Sequence, residues 1–316
     1  MTSAPSSPEL SVVIPCYNEE ENVRAICMAV IAEAERAASS HEVVLIDNCS
    51  TDGTRAIIRD LCLENPTVRA IFNNRNYGQM RSPTYGIYQA SGAAVIGMGA
   101  DFQDPPAMIG TFMAQWRAGA QVVLGQRRRE RSSILLRVVR KAGYGFLSRF
   151  GDYPVIPGAT GFGLFDRKVV DALARWNEPE PFFRGMLVEV GYRIVVVPFD
   201  RPPRAAGRSK NGFASLAGFA LSALAGSARS MLRLPLLLAM IGGLGTIVLA
   251  LVSLVALFLD GPTGTLAFAG LAVASLTVVL LSIGLVAEQV RLLCERSRNV
   301  PLVIEEERIN FPPAVS

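Results

Sequence analysis

Histidine is almost missing from this chain: His41 stands alone among 316 residues. Cysteine is sparse, with five residues (Cys16, Cys27, Cys49, Cys62 and Cys294) that show no CxxC spacing. A zinc centre built on His and Cys is thereby excluded, and the odd count suits a reducing compartment better than a disulfide framework. No GxGxxG follows the first apolar run and no GxxxxGK[ST] occurs, which argues against a nicotinamide cofactor and a P-loop. The opening MTSAPSSPEL has neither a basic nor an apolar stretch, so no cleaved signal is expected. There is no internal repeat or low-complexity tract.

Charge is also missing where it matters. None falls between Leu234 and Leu259, or between Thr265 and Ala287. About 20 apolar residues cross a bilayer core, so two transmembrane helices are expected, joined by the tight hairpin DGPTG. That hairpin has no Lys or Arg, whereas Arg229 and Arg233 precede the first run and Arg291, Arg296 and Arg298 follow the second. The positive-inside rule then places both termini and the large N-terminal part in the cytoplasm, on a multi-pass protein of the plasma (inner) membrane. The expected organisation is a cytoplasmic domain over 1–210, an interfacial segment over 211–233, a two-helix hairpin over 234–290 and a cytoplasmic tail over 291–316. The motif GGLG at Gly242 to Gly245 suits self-association through the spans.

Before those runs, strand and helix patterns alternate. LSVVIP (Leu10 to Pro15), EVVLID (Glu42 to Asp47), VRAIF (Val68 to Phe72), AAVIGM (Ala93 to Met98) and AQVVLG (Ala120 to Gly125) read as strands, with helical spacing between them. Asn18 and Glu21 have the spacing of a capping box at the first helix, and Pro105 suits the first turn of the fourth. Asp104 suits a cap on that fourth helix. The alternation predicts an α/β domain, doubly wound around a parallel sheet. Ligands bind such sheets at the carboxyl ends of the strands, which puts Tyr17 to Glu19, Asp47 to Asp52 and Asp101 to Asp104 on one rim. Acids brought that close repel one another, so a metal ion or a cationic partner is expected there.

The net charge of +4 conceals two basic clusters, QRRRERSSILLRVVRK from Gln126 and RPPRAAGRSK from Arg201. On a membrane-anchored domain they point to a phosphate ligand or anionic headgroups. Nucleic acid is not expected, because no aromatic-interleaved basic motif accompanies them.

VVIPCYNEEENV, LIDNCSTDGT, NRNYGQ, GADFQDPP, TGFGLFDRKVV, FFRGMLVEVGYRI and RPPRAAGRSK occur in this order. In that order they resemble the family 2 glycosyltransferases, and most closely the polyprenyl-phosphate group that includes dolichol-phosphate mannose synthase and bacterial undecaprenyl-phosphate glucosyltransferases. The resemblance implies a GT-A fold, inversion at the sugar carbon, a UDP- or GDP-sugar donor and Mg²⁺ or Mn²⁺. It implies that Pro15, Tyr17, Glu19, Asp47, Asn48, Gln79, Ala100 and Asp101 bind the nucleotide sugar, and that Asp101 and Gln103 hold the metal. Asp101, Asp104, Arg127 and Lys210 would carry the chemistry. Arg127, Arg131, Arg204, Arg208, Ser209 and Lys210 would bind the acceptor phosphate. Two departures stand out: Gly99 replaces the first acid of the usual Asp-x-Asp, and Asp47-Asn48-Cys49-Ser50 replaces Asp-Asp-Gly-Ser. Magnesium accepts one or two carboxylates when phosphates and water complete its shell, so one lost acid need not abolish binding.

A lipid phosphate is already largely ionised near neutral pH, so its transfer reaction needs a cationic cradle rather than a general base. Arginine suits bidentate phosphate contact and lysine acts as a point charge. Two other readings stay open: transfer to a hydroxyl of a glycolipid or lipid-linked glycan, and a non-catalytic nucleotide-sugar-binding scaffold.

Overall fold

The structure is a computed structural model. It describes residues 7–128, 156, 158–176, 178, 179, 181–202, 240–245, 247, 248, 251, 252, 254, 255, 263–297 and 300–312. Arg131, Arg204, Arg208, Ser209, Lys210 and the expected interfacial segment 211–233 lie outside the described residues.

The apolar runs become strands β1 (Leu10–Cys16), β2 (His41–Asp47), β3 (Val68–Asn73), β4 (Ala94–Gly97) and β5 (Val122–Arg127). They are followed by β6 (Ala159–Asp166), β7 (Ile194–Phe199) and β8 (Glu305–Ile309). One sheet holds all eight, in the order β7-β5-β6-β4-β1-β2-β3-β8. Its centre is parallel, as the alternation predicts: β1 pairs in parallel with both β2 and β4, and β2 with β3. β6 is wedged antiparallel between β4 and β5. Gly163 permits that approach, because a Cβ there would lie 2.4 Å from the Val123 carbonyl oxygen.

Successive side chains on a strand point to opposite faces, and β1 divides accordingly. Leu10, Val12 and Ile14 pack with α1 (Val23–Ala37), α2 (Thr54–Glu64) and α4 (Met108–Arg117). Val13 packs with α3 (Gly78–Gln89), α5 (Arg167–Ala174) and α6 (Phe183–Glu189). In α1 the buried positions are Val23, Ile26, Cys27, Val30, Ile31 and Ala34, the stripe of a helix with one face on a core. Ile14 is fully buried; trimming it to Ala would cost about 2–5 kcal/mol.

Three local expectations are corrected. The N-cap of α1 is Asn22, not Asn18. Asn18 instead has φ of 54° and accepts the Thr51 N–H, so it ties two loops together. Helix α4 begins at Met108 rather than Pro105, and Asp104 does not cap it but accepts the Gly99 N–H. Within the segment 291–316, β8 pairs antiparallel with β3 and forms an edge of the sheet.

The final helix, α7 (Thr263–Ser297), contains the 23-residue stretch Phe268–Val290 with mean hydropathy 2.4. At 1.5 Å per residue that stretch is about 35 Å long, enough to cross a bilayer core. It is the one such helix among the described residues. Residues 240–245 are also helical and lie against α7, where a Cβ on Gly242 would meet Val278 at 3.3 Å.

Candidate active site

Register brings the strand ends together. Cys16 lies opposite Asp47 and Val13 opposite Gly97, so the loops that follow β1, β2 and β4 open on the same edge. The first two loops are stitched together. The Asn18 N–H donates to Ser50 Oγ at 2.8 Å, that of Thr51 to Asn18 Oδ1 at 2.8 Å and that of Glu19 to Thr54 Oγ1 at 2.8 Å. Asn18 and Cys49 both take left-handed backbone angles, φ 54° and 62°, a conformation Asn accepts more readily than most residues.

These loops border a cavity of about 300 Å³ lined by Pro15, Tyr17, Glu19, Asn48, Gln79 and Ser82, among others. Asn48 is occupied with holding the wall. Its Oδ1 accepts from Asn73 Nδ2 at 3.1 Å and from the Tyr77 N–H at 2.9 Å. Its Nδ2 donates to Asn76 Oδ1 at 2.8 Å and to the Gly78 carbonyl at 3.3 Å. That uses both donors and both acceptor sites of the amide. Asp47 lies beneath the wall, fully buried, with Oδ2 accepting the Ser50 N–H at 3.1 Å and 3.6 Å from Arg55 Nε. Burial pushes its carboxyl pKa up, against the downward pull of Ser50 and Arg55. Ala100 is buried and lines neither cavity described here.

Pro15, Gln79 and Pro83 also line a second cavity of about 280 Å³, so the two are neighbours. On its edge is the turn that follows β4. Asp101 is almost buried, and its Oδ1 accepts the Gln103 N–H at 3.2 Å. Phe102 between them has φ of 58°. Asp104 Oδ2 accepts the Gly99 N–H at 2.9 Å. A Cβ built on Gly99 would be 3.3 Å from Asp101 Oδ1 and 3.4 Å from Asp104 Oδ2, so both carboxylates close on the space a side chain would use. Burial pushes the Asp104 carboxyl up and the charge of Asp101 adds to this, while the Gly99 N–H, Arg201 and Arg127 oppose it.

A divalent cation fits this donor set. Among the described residues there is no group of three His, Cys, Asp or Glu able to hold a metal. The two repelling carboxylates are hard oxygen donors, enough where phosphate oxygens complete the shell, and the Gln103 carbonyl, which also accepts from Arg201, is a third oxygen beside them.

Three arginines line the same cavity. Arg127 is the last residue of β5. Arg184, from α6, donates to the Ala159 carbonyl at 3.2 Å, and Arg201, just after β7, donates to Gln103 Oε1. Sequence reasoning missed Arg184 and Arg201 as site residues. Each sat in a noted motif, FFRG and RPPR, but only the pairing of β5 with both β6 and β7 brings the segments beside Arg127.

A family model described as glycosyl transferase family 2 matches residues 11–173. An uncharacterized glycosyltransferase of Synechocystis is 33% identical over 217 residues, covering 68% of this chain and 68% of its own. One from Bacillus subtilis is 26% identical over 302 residues, covering 95% of this chain and 94% of its own. The bactoprenol glucosyl transferase of Shigella phage SfV is 32% identical over 207 residues, covering 65% of this chain and 67% of its own.

Proposed function

The chain belongs to glycosyl transferase family 2, with a GT-A-like α/β fold, and from that premise we propose that it transfers a sugar from a UDP- or GDP-sugar, with inversion, to a polyprenyl phosphate such as undecaprenyl or dolichyl phosphate at the cytoplasmic membrane face. The observation that carries this reading is the pair of adjoining cavities. One is bordered by the stitched loops, and the other has an acidic turn on one side and Arg127, Arg184 and Arg201 around it. The nucleotide occupies the first and its sugar the second. The likeness to a bactoprenol glucosyl transferase supports a lipid-phosphate acceptor.

The chemistry asks little proton transfer of the protein. A phosphate monoester has its second pKa near about 6, so the acceptor oxygen is already a nucleophile. Arg127, Arg184 and Arg201 hold that phosphate behind the anomeric carbon; Arg131, Arg204, Arg208, Ser209 and Lys210, outside the described residues, are assigned to the same phosphate by the resemblance alone. One carbon–oxygen bond forms as the bond to the nucleoside diphosphate breaks on the opposite face, which inverts the carbon. Asp101 and Gln103, with Asp104 beside them, would hold Mg²⁺ or Mn²⁺, which when bound offsets the charge of the leaving diphosphate. Asp47 and Asn48 serve the donor by shaping the wall that Pro15, Tyr17, Glu19 and Gln79 present to it.

A membrane hairpin belongs to the same proposal. The chain leaves the sheet after β7 and rejoins it at β8. If α7 crosses the bilayer once, the chain must cross a second time to return, and Leu234 to Leu259 is the other charge-free run. Self-association of these spans is part of the reading, since among the described residues nothing lies within 4 Å of a Cβ on Gly243 or Gly245.

The test is transfer by the detergent-purified chain, with Mn²⁺ or Mg²⁺, from radiolabelled nucleotide sugars to undecaprenyl phosphate. An organic-extractable, acid-labile product from one donor is expected, lost in Asp101→Ala. Product formed only on hydroxyl acceptors would overturn the acceptor assignment.

A further inference from the structure

The donor-side cavity is connected to the far end of the chain. β8 is secured to the domain at several points. Asn310 Nδ2 donates to the carbonyls of Cys62 and Val68 at 2.8 Å each, Tyr85 donates to Glu305 at 2.9 Å, and the Asn74 N–H donates to the Ile304 carbonyl at 3.1 Å. Two carboxylates of the strand reach back to arginines of α2: Glu306 to Arg55 at 2.7 Å and Glu307 to Arg59 at 2.6 Å. The two pairs share one support: both guanidinium carbons lie over the Phe72 ring, Arg59 at 4.6 Å and Arg55 at 5.1 Å from its centre, and they differ in what lies beyond it. Arg55 continues inward, to Asp47 at 3.6 Å. Asp47 holds the Ser50 N–H, and Ser50 Oγ in turn holds the Asn18 N–H, between the wall residues Tyr17 and Glu19.

We propose that Glu306 is a positioning residue for the donor pocket, acting through Arg55 and Asp47 on the loops that form its wall. This rests on the reading of that pocket as the nucleotide site. The physical reason lies in Arg55. Its guanidinium is mostly buried and faces two carboxylates, one fully buried and one half exposed. Glu306 fixes the outer end of the guanidinium by a charge-assisted hydrogen bond, and so fixes where Nε stands against Asp47. Without that anchor Arg55 is drawn toward solvent, the buried carboxylate loses its nearest cation, and the Ser50 turn loosens.

The experiment is calorimetric titration of UDP and of GDP, with Mn²⁺, into the full detergent-purified chain. The variants are Glu306→Gln, Arg55→Gln, the double variant, and Glu307→Gln as the matched control on the same strand. Glu306→Gln should weaken nucleotide binding about fivefold, the scale of a partly exposed ion pair. Glu307→Gln should leave it within about twofold on the same scale. In the Arg55→Gln background the Glu306 substitution should have no further effect, because the link is already cut. Equal affinity in Glu306→Gln and the parent would overturn the inference. So would equal losses in Glu306→Gln and Glu307→Gln, which would report general loosening of the strand. A parent chain that binds neither UDP nor GDP would instead overturn the donor-site reading, and the inference with it.

Discussion

Gly99 and Asp104 face each other across a 2.9 Å hydrogen bond from the glycine N–H to the carboxylate Oδ2, and a Cβ on that glycine would stand 3.4 Å from the same oxygen. The position where relatives of this pattern carry an acid is thus partly filled by the acids that remain. Gly99→Asp brings a third carboxylate against Asp101 and Asp104. Without metal it should destabilise the fold by about 1 kcal/mol or more, since like charges in a shielded site raise one another's cost. With Mn²⁺ the sign should reverse, with higher stability than the parent and tighter metal binding by electron paramagnetic resonance. Destabilisation that added metal did not relieve would mean that this turn does not hold the ion.

Arg201 stands where the acidic turn meets the cationic side of the cavity, donating to Gln103. Arg201→Met removes a positioned charge from the reaction centre and should lower transfer to the lipid phosphate by about 10²-fold, the scale seen when one preorganised donor is lost. Nucleotide affinity should change far less. Arg201→Lys should recover little, because an ammonium cannot reproduce the fork of a guanidinium. If the loss lay wholly in nucleotide binding, Arg201 would belong to the donor side.

The first five strands were legible from composition because they are largely buried and read as mainly apolar runs, Val12 to Ile14 among them, whereas β6 and β7 were not read as strands. Helix starts were less legible. Asn18 has the composition of a cap, yet its side chain is engaged by Thr51 from a loop thirty-three residues away, a partner that local spacing cannot reveal. β8 escaped notice for a different reason. EEERI is strongly charged and reads as a solvated tail, but on an edge strand those charges meet Arg55 and Arg59. At the site, Arg127 could be found because a basic run follows a strand directly. Arg184 and Arg201 become neighbours only when β6 turns antiparallel and β7 joins β5.

Asn48 replaces the acid of the more usual Asp-Asp-Gly-Ser, and its amide supplies what a carboxylate cannot. Asn48 Nδ2 donates to Asn76 Oδ1, which also accepts the Gly78 N–H at 2.7 Å. Asn48→Asp would set two acceptors against each other, and turning the Asn76 amide would strand the Gly78 N–H. The cost should be about 1–3 kcal/mol, that of a buried polar group left unmatched, with faster hydrogen exchange in the segment from Asn73 to Gly78. Unchanged exchange there would show that the loop is held by other means.

Asp47 gives a prediction in pH. Burial raises its carboxyl pKa in the folded chain, so the folded state holds its proton more tightly than the unfolded state, where the pKa is near about 3.9. The sign follows from linkage. The favourable contribution of the protonated group is fully present below the unfolded value and is lost as pH rises through the raised folded value. Asp47→Asn cannot ionise and keeps an oxygen for the Ser50 N–H, so it should escape that loss. The variant should therefore gain stability relative to the parent as pH rises from about 4 through the raised folded value, and the advantage should fade in more acid solution. Thermal midpoints of both proteins, taken across that range in one detergent, measure the difference directly. A difference that stayed constant with pH would mean that Arg55 neutralises Asp47 fully, with no penalty left for burying its charge.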